Sequence, residues 1–284
     1  MTSSDLSVVL RDGVGLLELR RPPSNFFDEQ LIGKLVDAAR ELDDDPRCRA
    51  LVLASTGKHF CAGADFGAGG GFEQDRVTVS ERLYRRAVQL FEIGTPMIAA
   101  VQGAAVGGGL GLACAADFRV ADRSSRFVAN FALLGFHHGF GLSVTLPDLV
   151  GRRVAADLLM TGRRVGGEEA VHIGLADRLS APGRQRENAL EWARSLAAAA
   201  PLAVRSIRAT LRADMATRSA RRWNTNSWNR HGCGRPTTAP KASKRAWNDA
   251  LRCSAENDLV WSPRARDQPT PSRCTSPCAA DREL

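Results

Sequence analysis

The sequence predicts an α/β fold, in which strands and helices alternate over the first half of the chain and helices dominate afterwards. Two short apolar runs, Ala50–Ala54 and Met97–Val101, have the length and composition of buried strands. Segments with helical spacing lie before and between them, and this alternation is typical of parallel strands joined by helical crossovers. After Gly151 the apolar residues keep a helical period through several further segments.

Each element has its own signal. Ser7–Leu10 and Gly15–Leu19 flank Asp12-Gly13, a dipeptide typical of tight hairpin turns. Apolar residues recur at helical spacing from Asp28 to Leu42, and a second helix is expected from about Val79 to Ile93. Four helices are predicted after Gly151: Val154–Met160, Gly167–His172, Arg186–Ala199 and Leu202–Leu211.

Two glycine-rich segments carry the strongest functional signal. Phe60–Asp65 follows the first buried strand and Gly103–Ala113 follows the second. Small residues at such turns leave backbone N–H groups unhindered, and the first N–H groups of a helix have no partner within it. Two such turns that face each other can donate two hydrogen bonds to one oxygen, which is the geometry of an oxyanion hole. Neither segment matches a nucleotide-binding fingerprint.

In order and spacing, the two segments resemble those of the crotonase superfamily, the enoyl-CoA hydratases and isomerases. The likeness runs from about residue 7 to 215 and includes four further stretches: Arg21–Asn25, Ala116–Ala121, Leu159–Arg163 and Ala170–Ala176. The resemblance implies a ββα-type spiral core, with an acyl-CoA-binding core over residues 1–200. It also implies C-terminal helices, starting over residues 201–216, that cover the active site and build a trimer or hexamer.

The resemblance also implies the site. The backbone N–H groups of Ala64 and Gly108 would form the oxyanion hole, and Ala62, Asp65 and Phe66 would line the entrance for coenzyme A. The substrate would be an acyl-CoA thioester, with coenzyme A as part of the substrate. No metal or redox cofactor is expected, because the sequence has no ligand cluster. The candidates for the wall of an apolar acyl pocket are three aromatic residues: Phe131, Phe136 and Phe140.

The two glutamates that typical hydratases of the superfamily use are missing. At the corresponding positions this chain has Gly111 and Phe131, and neither residue can move a proton. His137 and His138 are candidate replacements, because a histidine near its ordinary pKa can act as acid or base at neutral pH. Three alternatives stay open: an isomerase or lyase, a histidine-assisted C–C bond hydrolase, and a non-catalytic acyl-CoA-binding paralogue. One of the histidines could instead pack or cap a turn.

Other polar residues are expected to be structural. Asp65 is expected to cap a helix rather than act as a base, and Asp117 is expected to pair with Arg119. Packing or surface roles are expected for the remaining candidates: His59, His172, Tyr84 and the free thiols of Cys48, Cys61 and Cys114.

The net charge of +8 is unevenly distributed. Residues 217–284 carry 13 Lys and Arg against 6 Asp and Glu, whereas residues 1–216 are nearly balanced, with 26 against 25. Residues 1–216 therefore have almost no basic excess, and nucleic-acid binding would depend on residues 217–284 alone. The sequence has no run of 18 apolar residues and no signal-like N-terminus, so we expect a cytoplasmic protein.

Beyond Ala216 the sequence loses both its apolar period and the resemblance. Back-translation from Thr217, read in a shifted frame, gives a string with helical spacing that resembles an ordinary crotonase C-terminus and ends in a stop across Asn257-Asp258. In that frame every Trp-Asn pair must yield glutamate. We therefore expect residues 217–284 to be an out-of-frame, largely disordered tail that impairs trimer formation. The alternative is a genuine basic tail.

Overall fold

The structure is a computed structural model, and it describes residues 2–3, 5–65, 76–135 and 137–222. Its strands are β1 Thr2–Ser3, β2 Leu6–Arg11, β3 Val14–Leu19, β4 Ala50–Ser55, β5 Met97–Val101, β6 Ala104–Val106, β7 Phe118–Ala121, β8 Arg126–Val128, β9 Arg164–Gly166 and β10 Arg178–Leu179. Its helices are α1 Glu29–Asp44, α2 Arg76–Val88, α3 Gly108–Ala115, α4 Leu142–Thr161, α5 Gly167–His172, α6 Gln185–Ala197 and α7 Pro201–Leu211. Residues 215–222 are also helical.

A seven-stranded sheet in the order β1-β2-β3-β4-β5-β7-β10 forms the centre of the fold. Strands β2 and β3 pair antiparallel across Asp12-Gly13, as predicted, and both turn residues have positive φ. From β3 to β10 the neighbouring strands are parallel. The carboxyl ends of β4 and β5 therefore lie at the same edge of the sheet, where parallel α/β sheets bind their ligands.

Both faces of the sheet are covered. Leu51 and Leu53 of β4 point into the core that includes the apolar side of α1, whereas Val52 points to a second core with Ala189 and Ala193 of α6. This alternation follows the two-residue period of a strand, and it explains why β4 reads as a continuous apolar run. The cap of α1 is the Asp28 carboxylate, which accepts the Leu31 N–H at 2.7 Å.

Several parts of the fold differ from the sequence prediction: strands β1, β7 and β10 were not predicted, and α2 ends at Val88 rather than near Ile93. Helix α4 begins at Leu142 rather than Val154, and its backbone leaves helical geometry at Gly151, where φ is 76°. The change of backbone geometry at Gly151 shifts the helical period of the apolar residues, so the residues before and after it do not follow one continuous helical pattern. The three-stranded sheet of β6, β8 and β9 was not predicted, because strands of three residues show no alternation that a sequence can reveal.

Helix α7 is anchored by an ion network that refines one prediction. The Asp117 carboxylate binds Arg208 at 2.8 Å and Arg212 at 2.6 Å, and it accepts the Met97 N–H at 2.8 Å. The buried guanidinium of Arg119 instead pairs with the carboxylate of Asp177 at 3.1 Å. Arg119 also donates from Nη2 to the backbone carbonyl of Asp117 at 3.1 Å. The predicted partnership therefore exists through the backbone, whereas the charge of each side chain pairs with a segment distant in sequence.

The last described residues cross the predicted boundary at Ala216. Residues 215–222 form one helical segment, in which Arg218 binds the Asp148 carboxylate through two contacts of 3.0 Å. Residues 223–284 lie outside the described part of the chain, so the out-of-frame tail stays a prediction. Among the described residues, none of the helices combines the length and the apolar character needed to cross a membrane.

Candidate functional site

The two glycine-rich segments lie side by side. The Cys61 N–H donates to the Ala104 carbonyl at 3.0 Å, and the Val106 N–H donates to the Cys61 carbonyl at 3.0 Å. A Cβ added to Gly63, where φ is 104°, would lie 2.9 Å from the Val106 oxygen and 3.6 Å from the Gly108 nitrogen. Only glycine permits so close an approach at that φ, so the contact between the loops requires Gly63.

The backbone donors of Ala64 and Gly108 flank this contact. Phe27 donates its N–H to the Gly63 carbonyl at 3.0 Å and accepts the Asp65 N–H at 2.8 Å. This parallel bridge turns the N–H of the intervening Ala64 away from Phe27. Gly108 is the first residue of α3, where an N–H has no acceptor within the helix. Among the described residues, neither N–H has a hydrogen-bond acceptor.

Aromatic side chains surround these donors. A Cβ at Gly108 would lie 2.5 Å from the Cζ of Phe27, a ring that is fully buried. A Cβ at Gly107 would lie 3.8 Å from the half-buried ring of Phe131. Ala64 and Gly108 are themselves buried. Backbone dipoles in apolar surroundings act more strongly on a developing negative charge than the same dipoles in water.

The position that would carry the first glutamate is closed. A Cβ at Gly111 would lie 2.8 Å from the Cγ and 2.9 Å from the carbonyl oxygen of Phe140. Phe140 is almost fully buried, and its ring packs against Phe27 and Tyr84 with centroids 5.6 and 5.9 Å apart. Its backbone has a positive φ of 52°. Gly111 therefore has no room for a side chain of any kind.

The two candidate histidines lie stacked in the loop before α4. Their ring centroids are 4.2 Å apart with an angle of 28° between the planes. Nδ1 of His137 lies 2.9 Å from the carbonyl oxygen of His138, and Nε2 of His138 lies 2.7 Å from Oγ of Ser143. Both rings are half-buried. The sequence did not single out Ser143, because no helix was predicted before Val154 and nothing in the sequence indicates which side chain this serine contacts.

The sequence profile of the family described as enoyl-CoA hydratase/isomerase matches residues 10–233. The chain belongs to this family. It is 35% identical to YngF of Bacillus subtilis (strain 168), whose name places it among the enoyl-CoA hydratases/isomerases, over 76% of this chain and 86% of that protein. It is 29% identical to the carnitinyl-CoA dehydratase of Escherichia coli (strain K12), over 92% of this chain and 100% of the relative.

A solved structure supports the same assignment. The crystal structure of an enoyl-CoA hydratase/isomerase from Pseudoalteromonas atlantica T6c is 25% identical and matches with a TM-score of 0.73, covering 88% of this chain and 96% of that one. The predicted crotonase-like fold class is therefore confirmed, and so is the predicted enoyl-CoA hydratase/isomerase family.

The other predicted site residues of this hydratase/isomerase family member are only partly described. Ala62 is buried and donates its N–H to the Ser24 carbonyl at 2.9 Å, whereas Asp65 is exposed. Helix α2 begins at Arg76, so Asp65 does not cap it. Phe66 and Phe136 lie outside the described residues, and a cap formed by Asp65 on residues 66–75 would lie there too.

The remaining candidates have packing roles. His59 is buried, and its Nδ1 accepts the Ala104 N–H at 3.2 Å, which ties the first loop to β6. Burial lowers the pKa of His59, with a further contribution from Lys58. Burial also raises the pKa of the Cys61 thiol to about 12, so this cysteine beside the donors stays a neutral thiol at neutral pH. Among the described residues, no three His, Cys, Asp or Glu side chains cluster as metal ligands would.

Proposed function

We propose that this protein is an acyl-CoA enzyme of the hydratase/isomerase type that stabilises a thioester enolate with two backbone donors and without a glutamate pair. The observation that carries the proposal is the pair of N–H groups of Ala64 and Gly108, adjacent, buried and without acceptors among the described residues. Removal of an α-proton places negative charge on the thioester oxygen. Two fixed donors aimed at that oxygen stabilise this charge more than they stabilise the neutral carbonyl.

The substrate in this proposal is an acyl-CoA thioester, with coenzyme A entering only as part of the substrate. Ala62 and Asp65 lie next to the donors in sequence and would form part of its entrance, with Phe66. Phe131 and Phe140 would wall the acyl pocket, with Phe136. The chemistry requires no metal and no redox cofactor, because deprotonation and reprotonation of a thioester leave its oxidation state unchanged.

The closed space over Gly111 decides which reactions are favoured. Hydration needs a carboxylate that orients a water molecule, and Phe140 fills the place from which one would act. Proton transfer within the substrate needs only one acid/base group near the α-carbon. Isomerisation is therefore favoured over hydration and over its reverse, the loss of water from a β-hydroxyacyl thioester. The acid/base candidates are His137 and His138.

A non-catalytic acyl-CoA-binding paralogue is the second candidate. The residues at the two glutamate positions favour it, because neither Gly111 nor Phe131 can carry a proton. A histidine-assisted C–C bond hydrolase is a third, and it depends on the same two histidines. The three differ in their reactions: the hydratase/isomerase-type enzyme removes the α-proton of a bound thioester, the paralogue leaves that proton in place, and the hydrolase cleaves a carbon–carbon bond of a diketone.

The experiment combines three measurements on the full chain. Calorimetric titration with butyryl-CoA tests binding, mass spectrometry in D₂O tests exchange of its α-protons, and absorbance tests hydration of crotonyl-CoA. We expect binding and exchange with little hydration. Binding without exchange would support the paralogue, and a β-diketone substrate that is cleaved would support the hydrolase. Absence of binding by a folded protein would refute the proposal.

Self-association is the partner interaction that we propose. Helix α7 exposes Leu202, Ile207 and Leu211, which retain 83%, 59% and 79% of their accessible surface. Large apolar side chains exposed on one helix are typical of a covered surface in an assembly. The family's tendency to form trimers or hexamers through its C-terminal helices suggests a second copy as the cover, weakened if residues 217–284 replace native helices.

A further inference from the structure

His59, which directly precedes the first glycine-rich segment, is bonded through its imidazole to the second one. We propose that His59 is a positioning residue for the backbone donors Ala64 and Gly108, and that protonation of its imidazole releases a contact that sets the spacing of these donors. The effect on a thioester rests on the proposed function, whereas the hydrogen bond and its loss on protonation can be tested without any substrate.

The imidazole of His59 is buried against β6. Its Nδ1 accepts the Ala104 N–H at 3.2 Å, and only 4% of the residue is exposed. A Cβ at Gly103, where φ is 55°, would lie 2.8 Å from this nitrogen and 2.1 Å from the Lys58 carbonyl oxygen. The approach therefore requires glycine at position 103. The His59 carbonyl accepts a second hydrogen bond, from Nδ2 of Asn25 at 2.7 Å, so the backbone and the ring of His59 are both fixed.

The contact of His59 is continuous with the contacts beside the two donors. The Ala104 carbonyl accepts the Cys61 N–H at 3.0 Å, and the Cys61 carbonyl accepts the Val106 N–H at 3.0 Å. Helix α3, whose first N–H is one donor, begins two residues after Val106. The other donor lies three residues after Cys61. A displacement of Ala104 is therefore transmitted along one ladder of backbone hydrogen bonds toward both donors.

The hydrogen bond determines the protonation state of His59. A backbone N–H can only donate, so Nδ1 of His59 must offer its lone pair to Ala104. The neutral ring therefore carries its proton on Nε2. An imidazolium has a proton on both nitrogens, so its Nδ1–H would point at the Ala104 N–H and the hydrogen bond would be lost. The observed contact exists only with the neutral ring.

The surroundings of His59 keep the ring neutral at neutral pH. Burial lowers its pKa, and the positive charge of the neighbouring Lys58 lowers it further. The groups that contact His59 from the other packed segments, Asn25, Gly103 and Ala104, are uncharged. The hydrogen bond is therefore complete above the ordinary histidine pKa of about 6.5, and it is lost as the pH falls through the lower pKa of the native protein.

Loss of this bond acts on the donors without separating the two segments. The hydrogen bonds of Cys61 with Ala104 and Val106 do not involve the imidazole, so they persist when His59 is protonated. The buried Ala104 N–H loses its acceptor, however, and a shift of β6 is needed to give it another. An oxyanion hole depends on where its donors lie, and a displacement of about 1 Å can lower a reaction rate about 10²-fold.

The first test follows His59 and the donors by NMR and needs no substrate. Full-length protein labelled with ¹⁵N is titrated from neutral to acid pH, and the His59→Asn variant identifies the His59 ring signals. We expect neutral His59 with its proton on Nε2, and amide signals of Ala64 and Gly108 that shift with the pKa of His59. A neutral His59 with its proton on Nδ1 would overturn the proposal. Donor amide signals that stay unchanged while His59 is protonated would also overturn it.

Two substitutions separate the acceptor from the shape of the side chain. His59→Asn places an oxygen acceptor where Nδ1 lies and cannot take up a proton, whereas His59→Leu places a methyl group there. The donor amide signals should lose the His59 titration in His59→Asn, and in His59→Leu they should resemble those of acidified wild type at every pH. The matched control is His172→Asn, because His172 is exposed on α5, and it should leave the titration unchanged.

The second test measures α-proton exchange of butyryl-CoA in D₂O at neutral pH. His59→Leu should slow exchange by about 10–10²-fold, whereas His59→Asn should retain most of the wild-type rate because it keeps the acceptor. All variants are compared at one pH, so that His137 and His138, the acid/base candidates, are affected equally. Circular dichroism shows whether each variant is folded.

The outcomes separate the two proposals. Equal exchange rates in folded His59→Leu and in wild type, both of which bind butyryl-CoA, would overturn the positioning role and leave the proposed function standing. A folded wild type that neither binds nor exchanges would refute the proposed function, and the NMR titration would still decide whether His59 positions the donors. If His59→Leu does not fold, the titration of wild type against His59→Asn decides the same question.

Discussion

Phe140 covers Gly111 so closely that a Cβ at Gly111 would lie 2.8 Å from the Cγ of Phe140. A glutamate at position 111 would therefore have no space for its side chain, because Phe140 of the neighbouring loop fills that space. The backbone of Phe140 adopts a positive φ of 52° at this contact. A side chain at position 111 would therefore require a change at Phe140 as well.

This relationship predicts that Gly111→Glu does not create a hydratase. The added side chain would overlap a buried ring, and overpacking of this kind costs about 1–3 kcal/mol. Thermal unfolding should show a lower Tm for Gly111→Glu and, by a smaller amount, for Gly111→Ala. The companion variant Gly111→Glu with Phe140→Gly opens the space and suits the positive φ, and it should recover part of the Tm. A single variant with wild-type Tm and rapid crotonyl-CoA hydration would contradict the packing argument.

A pair of substitutions at Gly108 tests the oxyanion hole. Gly108→Ala and Gly108→Pro both add a Cβ that presses on Phe27, but only proline removes the N–H. Proline is tolerated at the first position of a helix, so the backbone of α3 should persist. We expect α-proton exchange to fall about 10²–10³-fold further in Gly108→Pro than in Gly108→Ala. Equal exchange rates in the two variants, both folded by circular dichroism, would mean that the Gly108 N–H is not a donor to substrate.

The anchor of α7 should make stability depend on pH. Burial alone would raise the pKa of Asp117, but Arg208 and Arg212 outweigh it and the pKa is lowered. Burial lowers the pKa of Arg208, yet a guanidinium keeps its charge at any pH at which proteins fold, so Asp117 is the group that titrates. A carboxyl with a lowered pKa stabilises the fold fully above its unfolded pKa of about 3.9, and this contribution is lost as the pH falls through the native value.

Asp117→Asn should therefore destabilise the protein by about 3–5 kcal/mol at pH 7, because two arginines lose their buried partner. The difference from wild type should begin to shrink below about pH 4, where the unfolded carboxyl becomes protonated, and should vanish as the pH falls through the lowered native pKa of Asp117. Urea unfolding at several pH values measures both effects. Asp157→Asn is the matched control, since its pairing with Arg163 is largely exposed and should contribute about 1 kcal/mol or less. A pH-independent difference for Asp117→Asn would contradict the assignment.

The exposed face of α7 should govern self-association. Leu202→Glu combined with Leu211→Glu introduces charge where a second copy would pack, and Leu202 and Leu211 are the most exposed apolar residues of this helix. Light scattering should show a smaller species for this variant than for wild type, with an unchanged circular dichroism spectrum. Glu191→Lys, on α6, provides a charge-changing control. If the double variant associates as strongly as wild type at every concentration, the proposed interface is wrong.

The chain order of motifs was sufficient for the family and the general fold. Ala50–Ala54 and Met97–Val101 are continuous apolar runs because parallel strands are buried on both faces, and such runs are visible in one dimension. The turns after these strands were also recognisable from the sequence. Each turn needs small residues, and these residues lie together directly after the strand. Helices α5 and α7 were also close to their predicted bounds, since their helical spacing is uninterrupted.

Partners distant in sequence were decided only by the tertiary structure. The Asp117 carboxylate binds arginines about 90 residues away rather than its neighbour Arg119, because ion pairs form between side chains that packing brings together. The closure of Gly111 by Phe140 and the orientation of His138 by Ser143 are of the same kind. Sequence alone predicted that the two glycine-rich segments meet, and it predicted two backbone donors without a glutamate pair. Which groups surround those donors depends on how the loop before α4 folds back on α3, and no local pattern records that.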